Sequence, residues 1–328
     1  MRRREFLTMV GGVATASVAR PPAARAEPAP AVVGFLRSTR EDDLTKAMAA
    51  AVRAGLSEAG YAEGKNLAIE YRWGDGQRDR LPALVAELVS RPVGVIVANS
   101  IVALAAKTVT TTVPIVFVTG TDPVRDGLVT SFNRPGGNIT GVSFLSGQSG
   151  GKRLELLRQL VPGATTIALL IDPTTSEGRA ERHDIETAAQ SVGQRLVVFE
   201  VSSDREVEAA FESMVARGAG ALLVGVGAFL TSRQERIAAL ALRHRLPASR
   251  NLREFALAGG LMGYGTSITD AYRQGGIYAG RILKGEKPGD LPVLRSVKWE
   301  LVLNLKTAKA LGLDIPLQVH AAADEVIE

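Results

Sequence analysis

The sequence predicts an α/β protein built of two doubly wound, Rossmann-like lobes joined by a multi-strand hinge. Short β-branched apolar runs alternate with longer segments of helical period, as the strands and covering helices of parallel sheets do. This order runs through once, pauses at a turn-rich stretch and returns, which is most simply two successive βαβα sets. Residues 259–328 then follow after both sets are complete, and a tail of that length has to cross back between them.

The first run, 31–36 (AVVGFL), reads as a strand. Over 41–59, Leu44, Met48, Val52 and Leu56 recur every four residues, and Gly60 stops the helix. A strand over 67–73, a helix over 81–89, a strand over 93–98, a helix over 102–109 and a strand over 115–119 complete the first set. The turn-rich Asn133-Arg134-Pro135-Gly136-Gly137 leads to a junction over 138–144. After a helix over 152–160 the order resumes: strand 166–171 (TIALLI), helix 177–192, strand 196–201, helix 206–216, strand 221–226, helix 232–243 and strand 246–249. The last segment holds a strand over 261–264, a helix over 269–283 stopped by Lys284-Gly285-Glu286-Lys287-Pro288, a strand near 299–303 and a short helix over 306–311. The expected division is 27–142 with 267–292 in the first lobe and 143–266 with 293–328 in the second. Hinge crossings are expected near 141–144, 265–269 and 292–294.

Residues 1–26 stand outside this pattern. Met1-Arg2-Arg3-Arg4-Glu5-Phe6-Leu7 sets paired arginines just ahead of Phe-Leu, followed by a mildly apolar stretch over 7–19 and Ala24-Arg25-Ala26. A charged start, a short h-region and an A-x-A cleavage site make a secretory signal of the twin-arginine type, so the mature chain is expected in the periplasm, soluble. The formal charge of +5 belongs mostly to this leader, which carries +4 and leaves +1 for the rest. No basic stripe with interleaved aromatics argues for nucleic acid. The absence of cysteine excludes a disulfide framework, thiolate metal sites, thiol catalysis and a lipid-modified N-terminal cysteine.

Enzyme motifs fail on their spacing. Gly147-Gln148-Ser149-Gly150-Gly151-Lys152-Arg153 is one residue short of a phosphate loop and has Arg153 where a hydroxyl would hold magnesium. Gly225-Val226-Gly227 follows a strand, but Leu230 replaces the third glycine of a dinucleotide fingerprint. His183, His244 and His320 have no zinc or triad spacing, and Glu177 to Glu186 fits a solvated helix face better than an acid/base pair. No enzyme, cofactor or metal is expected.

The remaining chemistry lies where strands end. Ser38 and Thr39 close the first strand. Asn99-Ser100 opens a helix, where it either receives a ligand carboxylate at the positive helix end or serves as an ordinary N-cap. Thr119 and Asp122 stand one strand on, Asp122 either accepting a ligand ammonium or fixing the turn before Pro123. In the second set, Asp172, Thr174 and Ser176 end the strand TIALLI, while Gly227 supplies a bare turn and Phe229 an apolar cover. Sheets of this kind bind ligands beyond their strand carboxyl ends, so the two sets make a two-jawed small-molecule site.

The leader RRREFL and the segments AIEYRWGDGQRDRLPALVAELV, NRPGGNITGVSF, KRLELLRQLVP, REFALAGGLMGYGTSITDAYRQGGIYAGRILKGEKPGDLPV and ELVLNLKTAKALGLDIP resemble the solute-binding proteins of a bacterial ABC uptake family, some of which handle tryptophan or related amino acids. The resemblance implies a type I periplasmic binding fold with three hinge crossings. It also implies closure on an amino acid or carboxylate-bearing solute, and delivery of that solute by a monomer to an inner-membrane ABC permease. It carries over Asn99, Ser100, Thr119, Asp122, Asp172 and the Gly227 loop as ligand contacts. Where that family commonly has an aromatic and an acid before the REF segment, this chain has Arg250 and Asn251. That exchanges a stacking surface for an anion receptor if Arg250 faces the cleft, the alternatives being solvent or a pair with Glu254. Gly263 stands where a serine is frequent, next to Tyr264, which completes the candidate set. An exported hydrolase, or a receptor lobe serving a signalling partner, are the other functions such a scaffold supports.

Overall fold

The computed structural model describes residues 29–144, 149–296 and 298–328, apart from the side chains of Ser176 and Ala228; the leader at 1–26 and part of the glycine-rich 147–153 stretch lie outside the described residues. Two sheets, each covered on both faces by helices, form two lobes.

The first lobe contains β1 (Ala31–Arg37), α1 (Asp43–Glu58), β2 (Leu67–Trp73), α2 (Leu81–Val89), β3 (Val95–Asn99), α3 (Ser100–Val109), β4 (Ile115–Thr119) and β5 (Ile139–Ser143). Its sheet runs β11-β5-β4-β3-β1-β2, all parallel. The second contains α4 (Gly150–Leu160), β6 (Thr166–Ile171), α5 (Ser176–Ser191), β7 (Arg195–Glu200), α6 (Asp204–Ala216), β8 (Ala221–Val224), α7 (Ala228–Thr231), α8 (Gln234–Arg243), β9 (Ala248–Arg250), α9 (Arg253–Leu257) and β10 (Met262–Thr266). The chain then returns to the first lobe as α10 (Ile268–Leu283) and β11 (Leu294–Arg295), and ends in the second as β12 (Trp299–Asn304), α11 (Leu305–Leu311), α12 (Leu317–Ala321) and β13 (Glu325–Ile327). The second sheet is ordered β13-β12-β10-β9-β8-β6-β7, parallel except where β12 runs against β10.

Four differences from the sequence expectation bear on the site. The division at 143 and 293 departs from the strand pairing, since Ser143 pairs with Thr119 and Leu294–Arg295 pair with Val142 and Ser143 in the first sheet. The helix expected over 232–243 begins at Gln234, and a separate short helix, α7, precedes it and closes on Gly227, whose carbonyl accepts from Thr231 N and Oγ1 at 3.0 and 2.7 Å. The REF segment forms α9, and α12 and β13 extend the tail; these elements of three to five residues are too short to show a period. Finally, Glu181, within the supposedly solvated run, has no exposed surface.

All three crossings leave the carboxyl ends of strands, at Phe144 after β5, Ser267 after β10 and Ser296 after β11. They are tied to one another: Thr266 Oγ1 donates to Phe144 O, Ser267 N to Lys298 O and Ser296 N to Ser143 O, each at 2.9 Å. Since the parallel strands of each sheet point the same way, these crossings set the carboxyl ends of the two sheets toward each other. Among the described residues no helix is long and apolar enough to cross a membrane.

Candidate functional site

A doubly wound sheet opens a crevice where its strand order reverses. In the first sheet that point lies between β1 and β3, in the second between β6 and β8.

At the first switch point Ser38 and Asn99 meet. Ser38 N donates to Asn99 Oδ1 at 3.2 Å, and Asn99 Nδ2 donates to Ser38 Oγ at 2.9 Å. The Asn99 amide is therefore spent across the sheet, and it neither caps α3 nor reaches outward. No side chain caps that helix, so its first-turn N–H groups have no side-chain acceptor at the positive end. Thr39, beside them, has a buried Oγ1 with no partner.

Sequence reasoning missed Arg37, the last residue of β1. Its Nη1 donates to Tyr272 OH on α10, the guanidinium stands 5.3 Å from that ring's centroid, and its buried Nε has no partner. Burial pulls its pKa down to about 10 against a partial opposing pull from Asp42, which lies in solvent. Phe35 meets the rings of Trp73 and Tyr272 at 5.8 and 6.3 Å, so the cation sits in aromatic surroundings. The signal lay only in the residue type at a strand end, since Tyr272 is 235 positions away.

Two first-lobe candidates close on their own loops. Thr119 Oγ1 meets Thr121 Oγ1 at 2.8 Å, and Asp122 Oδ1 accepts from Val124 N and Arg125 N at 2.9 and 3.2 Å, which makes Asp122 the fixer of its turn.

At the second switch point Asp172 Oδ1 accepts from Thr174 N and Oγ1 at 2.9 and 2.6 Å, and Thr175, not Ser176, caps α5 through Gly178 N at 3.1 Å. Gly227, at φ +127°, lies against Asp172, 3.8 Å separating the position of an added Cβ from Asp172 Cβ. Phe229 is half-buried beside the α6–α8 core with the Arg233 guanidinium 4.6 Å above its ring, so one face is already covered. Tyr264 packs under α4 and stacks on Trp299 at 5.7 Å, as part of the wall. Gly263 is required by its backbone, because a Cβ there would meet Leu252 O at 2.5 Å.

Arg250 neither opens to solvent nor pairs with Glu254. It is 1% exposed, with Nη2 donating to Thr231 Oγ1 at 2.8 Å, Nε to Gly225 O at 3.4 Å, and Nη1 unpartnered. Burial, then the neighbouring Arg153, pull its pKa down to about 10. Arg153 and Glu181, both fully buried, form an ion pair; Arg153 Nη1 also donates to Val224 O, and Val226 N donates to Glu181 Oε2, each at 2.7 Å. The loop after β8 is thus held from beneath by a hydrogen-bonded charge network, with Arg250 gripping its far end.

Several buried polar atoms without partners lie at these strand ends and their network: Arg37 Nε at the end of β1 and Thr39 Oγ1 just after it, Ser249 Oγ and Arg250 Nη1 in β9, Asn251 Oδ1 just after it and Glu254 Oε2 on α9, with Arg153 Nε beneath. Buried polar groups are normally satisfied, so such a concentration marks where a further molecule belongs.

Residues 37–327 match the family model described as ABC transporter substrate binding protein. The chain is 27% identical over 283 residues to the tyrosine-binding protein of Clostridioides difficile, covering 86% of this chain and 81% of that one. A conserved domain protein from Vibrio cholerae superposes with a TM-score of 0.78 at 25% identity, over 90% of this chain and 99% of the other. A domain from Streptococcus pneumoniae in complex with L-Trp does so with a TM-score of 0.78 at 24% identity, over 91% and 100% of the two chains.

Proposed function

Because this chain belongs to the ABC transporter substrate-binding protein family and has the type I periplasmic binding fold, we propose that it captures an amino acid or a similar small carboxylate-bearing solute between its lobes and delivers it to an inner-membrane ABC permease. The observation that carries this reading is the gathering of unpartnered buried polar atoms at the carboxyl ends of β1 and β9, on the two sides of the hinge. The β1/β3 edge offers Ser38, Thr39 and Ser100; the β6/β8 edge offers the Asp172–Thr174 turn and Gly227, with the Arg250 network behind it.

The C. difficile relative is named for tyrosine, and the S. pneumoniae neighbour holds L-Trp, which makes an aromatic amino acid the first solute to try. The protein works as a monomer, exported through its first 26 residues, with lobe boundaries at the three crossings. Thermal-shift screening against amino acids and small carboxylates tests the reading: a ligand at about 100 times its Kd adds about 2.7 kcal/mol of stability. No shift with any of them would overturn the solute class.

A further inference from the structure

We propose that Arg37, the last residue of β1 at the β1/β3 switch point, is the receptor for the ligand's carboxylate, with the Thr39 hydroxyl two residues on. This deepens the solute-binding reading above and rests on it. A guanidinium is a set of five donors with no acceptor, and in a stable resting place it faces carboxylates or carbonyls. Arg37 instead has one hydroxyl, one aromatic ring and an unpartnered Nε, and no carboxylate among the described residues lies within ion-pair distance of it. Arg37 keeps part of its surface exposed while its Nε is buried without a partner, an arrangement that an anion at the strand end would relieve.

The position fits that task. Arg37 is adjacent to Ser38, whose bonds to Asn99 turn the one side chain able to cap α3 away from its amino end. Arg37 ends β1 and Thr39 follows two residues on, so a cation and an unpartnered hydroxyl stand at one strand end, and each favours an anionic oxygen. Asn99, read from the sequence as either a carboxylate contact or an N-cap, is instead held by Ser38 as a strut of this receptor. Trp73, aligned with Arg37 in the β1–β2 register and half-buried, gives the apolar remainder of a solute a wall to lie on.

The test pairs a ligand comparison with a stability comparison. L-tyrosine and L-tryptophan are set against tyrosinamide and tryptophanamide, which lack the charged carboxylate. The variant R37M/Y272F removes the guanidinium together with the hydroxyl it bonds, so no buried partner is left orphaned. The acids should stabilise the wild type while the amides do not, and the double variant should bind the acids about 10- to 100-fold more weakly, the loss of a charge-assisted bond. Without ligand the variant should melt at or above the wild-type temperature, because a cation with a buried, unpartnered Nε has gone.

Equal stabilisation by acids and amides, or wild-type affinity in the variant, would overturn the assignment while leaving solute binding intact. If neither acid shifts the wild type, aromatic amino acids are excluded as solutes and the melting temperature alone decides: a variant less stable than the wild type makes Arg37 a structural group, one as stable or more upholds it as an anion receptor.

Discussion

Glu181 sits on a helix that offers Glu177, Arg179, Arg182, Asp184 and Glu186 around it, and nothing in that stretch distinguishes the one carboxylate with no exposed surface. Its burial is set by Arg153, 28 positions earlier on α4. Removing one member of such a pair strands its partner, so Glu181→Gln should cost about 3–5 kcal/mol by urea unfolding, with Arg153 and Arg250 left to share the site. Glu254 gives a pH-dependent counterpart. Burial raises its pKa, so the folded chain keeps a proton at pH values where the unfolded chain has released it. Stability must then fall as pH rises from the ordinary glutamate range through the raised one. Glu254→Gln should remove that part of the slope and be more stable than the wild type above it, which unfolding curves at several pH values will show. The strand-end positions were legible at this scale because helix-opening and turn residues announce themselves locally. The partners were not: Arg37 depends on Tyr272, and Arg250 on Thr231 and Gly225, pairings that exist only once the chain has folded.

Regular elements were the most legible part of the chain, because short β-branched apolar runs such as TIALLI have the length and composition of strands buried on both faces, and the four-residue repeat of Leu44, Met48, Val52 and Leu56 marks α1. What periodicity could not show is how closely elements approach. Gly276 on α10 lies so near α1 that a Cβ would stand 2.2 Å from Val52 O, and Gly55 on α1 answers it, at 1.9 Å from Arg273 O. On β10, Gly263 and Gly265 let the segment that leads into α9 lie directly on the strand, with added Cβ atoms at 2.5 Å from Leu252 O and 2.0 Å from Asn251 O. The serine frequent in the resembling family at position 263 is therefore not a free exchange here. Gly263→Ser should destabilise by about 1–3 kcal/mol through overpacking against backbone, measured by chemical denaturation. Had the glycine been only a missing hydroxyl, the variant would match the wild type.

At the scale of the molecule, the repeat of strand and helix units foretold two lobes, and the surplus tail foretold the return crossings. The crossings at Phe144 and Ser267 fall within the expected 141–144 and 265–269, and only the third, at Ser296, slips past 292–294, because β11 is only two residues long and pairs before it crosses. A hinge of three strands tied by single hydrogen bonds should let the lobes move as rigid bodies, so a saturating solute should shrink the radius of gyration in small-angle scattering while leaving both cores unchanged. An unchanged radius would count against a mobile clamp. Export is tested apart from binding: Arg3→Lys with Arg4→Lys should leave a fused, folded reporter in the cytoplasm. The return of α10 has one more consequence, for the order in which the protein is made. When the chain has been synthesised as far as Phe144, all but the two-residue β11 of the first sheet is present, but Val33, Phe35, Val116 and Val118 still await the helix that covers them, whose last turn ends at Leu283. The earlier-translated lobe is thus obliged to finish late. A ribosome that stalls anywhere in the second lobe releases a first lobe with one apolar face only partly covered, by α1 alone, a natural target for chaperones and proteases.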